Sequence, residues 1–126
     1  MRIIDLTIEE DTLVPSDCFA GQTGEHQDTA LTVTLPEEWV GFTCTFRFYI
    51  PSQNKHYQTV PLTDPVSFPL PQALMVAGKL LCYLDARKDN TIHRTRAATL
   101  LVEESPDWGS TVESVANPYE GLAEVS

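Results

Sequence analysis

The chain has 126 residues, of which 42% are apolar and 21% charged, and it carries a net charge of −10. That length suits one domain with a single core, and the apolar share excludes an intrinsically disordered chain. The longest apolar runs fall far short of the ~18 residues of a membrane-spanning helix. Residues 1–38 hold nine acids and one base, residues 103–126 hold six acids and no base, and the segment between them has seven bases against three acids. Acidic ends repel nucleic acid and anionic membranes, so neither is expected as a partner. They can instead keep the fold soluble, or dock on the basic middle of another copy, an attraction that salt would screen.

Taken in chain order, period two dominates. Met1-Arg2-Ile3-Ile4-Asp5 lacks the features of a secretory signal, so synthesis in a cytoplasm is expected. Ile4, Leu6 and Ile8 then alternate with Asp5 and Thr7. Leu31, Val33 and Leu35 alternate with Thr32 and Thr34. Phe42, Cys44, Phe46, Phe48 and Ile50 alternate with Thr43, Thr45, Arg47 and Tyr49, which predicts a long strand with one buried aromatic face. Pro51-Ser52-Gln53-Asn54-Lys55 turns this strand towards His56-Tyr57-Gln58-Thr59-Val60. Pro71 to Gly78 reads as a helical turn or loop. Leu80, Cys82 and Leu84 make another inward row, Arg87-Lys88-Asp89-Asn90 a hairpin turn, and Ala98, Leu100 and Val102 the last row.

These signals predict an all-β protein, an antiparallel two-sheet sandwich of about seven strands, immunoglobulin-like or jelly-roll-like. The sandwich is expected over residues 1–104. Residues 105–126 are expected to form an acidic tail, docking or flexible, with a short helix over Thr111–Ala116, where Ser110 and Glu113 have capping-box spacing. So short a helix needs something to pack on.

No catalytic motif is present: G-x-S-x-G, the P-loop, G-x-G-x-x-G and H-E-x-x-H are all missing. No enzyme activity, cofactor or metal is therefore expected. His26 and Asp28 are the nearest approach to a metal or acid–base pair, but Gly24-Glu25-His26-Gln27-Asp28 has the composition of a turn. Glu9, Glu10, Asp11 and Asp17 lack calcium-loop spacing. Cys18, Cys44 and Cys82 make an odd set, and buried thiols are expected for the latter two rather than a bridge between sheets. Candidates for interaction are Trp39, Tyr49 and Tyr57, with the two tyrosines expected on outward faces or in adjoining loops. Trp108, Val112, Val115, Tyr119 and Leu122 of the tail join them, for their large apolar contact area. Trp39 also suits a core lid.

The turn Gly24–Asp28 before Thr29–Pro36, the long strand Phe42–Ile50, the run Val66–Pro71, Gly78–Asp85 and a closing hairpin ending at Val102 follow one another in a familiar order. Over roughly residues 1–104 the chain resembles the N-terminal β-sandwich domain of baseplate upper proteins and related tail-fibre proteins of phages infecting Gram-positive bacteria. Asn117-Pro118-Tyr119-Glu120-Gly121-Leu122 resembles the junction at which such proteins continue into a fibre. The resemblance implies a structural virion protein of the tail or baseplate, present as a homo-oligomer, with other virion proteins as partners and no catalytic residues. The alternative is a carbohydrate-binding module for a host-surface glycan.

Overall fold

Eleven strands build two facing sheets in the computed structural model, which describes residues 1–63, 65–105 and 115–125. The small sheet has the order β2-β1-β4-β7, formed by β1 (Arg2–Glu9), β2 (Thr12–Pro15), β4 (Thr29–Val33) and β7 (Val66–Pro69). The large sheet runs β11-β6-β5-β8-β10-β3. Its members are β3 (Phe19–Gln22), β5 (Thr43–Ile50), β6 (Lys55–Thr59), β8 (Gly78–Lys88), β10 (Ala98–Glu103) and β11 (Leu122–Val125), with β9 (Thr91–Arg94) also on β8. The long β8 accommodates two partners along one edge, β10 beside its first half and β9 beside its second.

The alternation in the sequence maps onto the layers. Along β5 every second side chain is buried, Cys44, Phe46, Phe48 and Ile50 pointing into the sandwich and Thr43, Thr45, Arg47 and Tyr49 away from it. Phe68 from the small sheet meets Phe46 and Phe48 from the large one, with ring centroids 6.3 and 5.9 Å apart. Ile4, Leu6, Leu31 and Val66 close the core from one side, and Leu80, Leu84 and Leu100 from the other. Turn chemistry follows the expected residues at two reversals, where Asn54 and Asp89 adopt positive φ between β5 and β6 and between β8 and β9; Glu10 and Asp11 do so at a β1–β2 turn that the sequence did not reveal. Pro71 leads into a single 3-10 turn over Gln72–Leu74.

The structure corrects the sequence-based expectation in three respects. The sheets are mixed, because β1 pairs with β4, and β10 with β3, in parallel. After the β1–β2 reversal the chain crosses to β3 in the opposite sheet and returns on the other edge of β1, which gives β4 the direction of β1. The strands outnumber seven, because short β2, β3 and β11 carry too little alternation to be read alone. The C-terminal helix is not supported. Of Thr111–Ala116, residues 111–114 lie outside the described residues, and Val115 and Ala116 are not helical. The tail instead turns at residues 118–121 and adds β11 antiparallel to β6, seating Leu122 against the core.

Cys44 and Cys82 both face the core from the large sheet, Cys44 opposite Ala86 and Cys82 opposite Phe48. Four residues along neighbouring strands is roughly 13 Å, well beyond disulfide reach. Burial pushes the Cys82 thiol up, far from thiolate chemistry.

Candidate functional site

The outer face of the large sheet is built by strand registry. Opposite residues on antiparallel neighbours point the same way, so the outward positions of β5 bring their partners with them. Arg47 stands between Tyr83 on β8 and Gln58 on β6, Tyr49 stands between Leu81 and His56, and Thr45 faces Asp85. Arg94 of β9 lies beyond Asp85, and Val125 of β11 lies beyond His56. Together Arg47, His56, Tyr83, Asp85, Arg94 and Val125 surround a cavity of about 520 Å³, within the usual range for small-ligand sites.

Asp85 organises the polar side of this cavity. Its carboxylate is 4% exposed, and Arg87 Nε donates to Oδ1 at 2.9 Å while Arg87 Nη2 and Arg94 Nε donate to Oδ2 at 3.4 and 3.2 Å. Burial alone would raise its pKa, but the hydrogen bonds and charges of the two guanidiniums outweigh that, and the carboxyl lies below its ordinary value. The same contacts hold Arg87 above its own ordinary value. The aromatic side is ordered too. Tyr49 stacks on His56 at 4.4 Å between centroids, and its hydroxyl donates to Asn54 Oδ1 at 3.0 Å.

The other interaction candidates are dispersed. Tyr57, expected outward, is turned into the core at 2% exposure, because registry places it opposite Phe48. Burial first, then Tyr119 and Glu124, raise its phenol pKa. Trp39, in a 3-10 turn over Glu37–Trp39, is buried as a lid, its ring stacked on His93 at 4.9 Å with an interplanar angle of 3°. Tyr119 sits over Tyr57 at 6.0 Å, Val115 N–H donates to Gln72 Oε1 at 3.3 Å, and Ala73 N–H donates to the Pro118 carbonyl at 2.8 Å. The described tail thus lies on its own sandwich. Trp108 and Val112 fall outside the described residues.

His26 and Asp28 have separate tasks. His26 Nδ1 accepts the Gln72 N–H at 3.0 Å, and Asp28 approaches Arg2 at 3.7 Å. Among the described residues, no three His, Cys, Asp or Glu side chains are grouped to hold a metal ion. The residues that sequence reasoning passed over are Arg47, Tyr83, Asp85 and Arg94. Alternation marked Arg47 as outward, but only the β5–β8 and β8–β9 registers bring the four together.

Fold and site define a two-layer β-sandwich with a concave cation- and aromatic-lined face on its larger sheet. No family model, curated protein or solved structure matches the chain.

Proposed function

We propose that the protein is a non-catalytic structural component of a phage particle, associated with its tail, baseplate or fibre, where it works by protein–protein assembly. Its partners are other virion proteins and further copies of itself. The observation that carries this reading is the way β11 joins the large sheet. Four successive residues, Leu122 to Val125, add to the edge of β6 as an antiparallel strand. Strand addition secures a segment by main-chain hydrogen bonds with little demand on side chains, a common basis of protein assembly. The far edge of β11 pairs with no strand among the described residues, so the same mode of addition is available there to another chain. Light scattering on the purified full chain tests the reading. Oligomers are expected, and a chain that stays monomeric up to millimolar concentration contradicts it.

A second reading, a module for a host-surface glycan, is favoured by the cavity on the outer face. Of the three rings expected to carry it, Trp39 and Tyr57 belong to the core, whereas Tyr49 stands on this outer face, stacked on His56 at the cavity wall.

A further inference from the structure

We propose that the cavity on the outer face of the large sheet binds an acidic saccharide, with Arg47 holding the carboxylate and Tyr83 stacking on the sugar ring. The inference rests on the second reading, that this face takes a ligand, and is independent of assembly through β11.

Three observations converge on that chemistry. The first is the state of Arg47. Arg2, Arg87 and Arg94 each have a carboxylate partner, whereas half-buried Arg47 has none among the described residues. A partly desolvated guanidinium with its donors unspent favours a planar carboxylate, which it meets through two parallel hydrogen bonds. The second is Tyr83, half-buried directly opposite Arg47 and on the same face. Its ring offers a flat apolar surface to the C–H face of a sugar, while its hydroxyl remains a polar handle. The third is Asp85. A carboxylate has about four acceptor sites, and Arg87 and Arg94 occupy three. The remaining one, at the cavity wall, suits a sugar hydroxyl.

Charge sets the ligand's sign and limits its size. The outward positions of the large sheet carry Arg47, Lys79, Arg87 and Arg94 against Asp85 and Glu103, and the cavity itself is lined by Arg47 and Arg94 against Asp85, although the chain as a whole is at −10. The face therefore attracts an anion locally. Within the cavity lining Arg94 is paired with Asp85 and Arg47 is the cation left, so one negative charge is matched. A di- or triphosphate would bring several charges beside Asp85, which disfavours nucleotides.

Calorimetric titration of the full chain with cellobiouronic acid, cellobiose and inorganic phosphate tests the proposal. The acid is expected to bind about tenfold or more tightly than either control, since a charge-assisted hydrogen-bond pair contributes that much. Arg47→Met should remove this preference, Arg47→Lys should keep part of it, and Tyr83→Ala should weaken the acid more than it weakens phosphate, which has no ring to stack. Equal binding of cellobiose, equal binding of phosphate, or an Arg47→Met variant that folds and binds like the parent each overturn the proposal. If neither disaccharide binds, the second reading fails with it, whereas tight binding of cellobiose leaves that reading standing and removes only the acidic specificity.

Discussion

Arg94 and Asp85 face each other across the β8–β9 pair, and Arg94 Nε reaches Asp85 Oδ2 at 3.2 Å, so the short β9 is tied to the sheet by a buried carboxylate. The Asp85 pKa is depressed in the folded chain, so its charge stabilises the fold above the unfolded-state value of about 3.9, and that contribution disappears as pH falls through the lower folded-state value. Asp85→Asn should therefore cost about 1–2 kcal/mol at pH 7, a modest figure because both guanidiniums are largely exposed. Urea denaturation should show the difference between parent and variant shrinking as pH falls below ~4.

The aromatic contact between the sheets supports the whole sandwich. Phe46 is fully buried against Phe48 and Phe68. Phe46→Ala should cost about 3–5 kcal/mol, a large part of the ~5–15 kcal/mol available to a domain. Tyr49→Ala, on the outer face, should cost far less in the same denaturation experiment.

Gly121 lets the tail reach β6. Its φ is +77°, and a Cβ there would come within 3.0 Å of Phe68 Cε1. Gly121→Ala should weaken β11 docking by about 1–2 kcal/mol. Hydrogen exchange should then speed up at the β11 amides and leave the β5 and β8 amides protected.

Thiol labelling separates the three cysteines. Cys18 is exposed, whereas Cys44 and Cys82 lie inside the large sheet. A disulfide reagent should modify one thiol rapidly in the native protein, at Cys18, and the other two only after denaturation. Rapid modification of Cys82 would contradict the packing described for β8.

His26 is a structural acceptor for the Gln72 N–H. His26→Ala should lower stability by about 1 kcal/mol through that lost bond. A chelator should leave the melting temperature of the parent unchanged.

The part of the fold legible in the sequence was the part with a strict period. Cys44, Phe46, Phe48 and Ile50 identify a buried strand face unaided, because each neighbour is polar or outward. Leu80, Cys82 and Leu84 do the same for β8. Parallel pairing of β1 and β4 was hidden, since it depends on the path through β2 and β3 rather than on local residues. Leu122-Ala123-Glu124-Val125 is too short to reveal a strand until the edge of β6 offers it a partner. Tyr57 illustrates the limit most clearly: His56-Tyr57-Gln58 does not say which side chain points inward, and the pairing with Phe48 does. The candidate site is subject to the same limit. Arg47 and Tyr83 are 36 positions apart in the sequence, and become neighbours only through the β5–β8 register.

Mass spectrometry of gradient-purified phage particles tests the assembly role most directly. The account predicts that peptides of this chain sediment with the particles, at a constant ratio to a tail protein across the gradient fractions. Abundant chain in the lysate with none in the particles would contradict it.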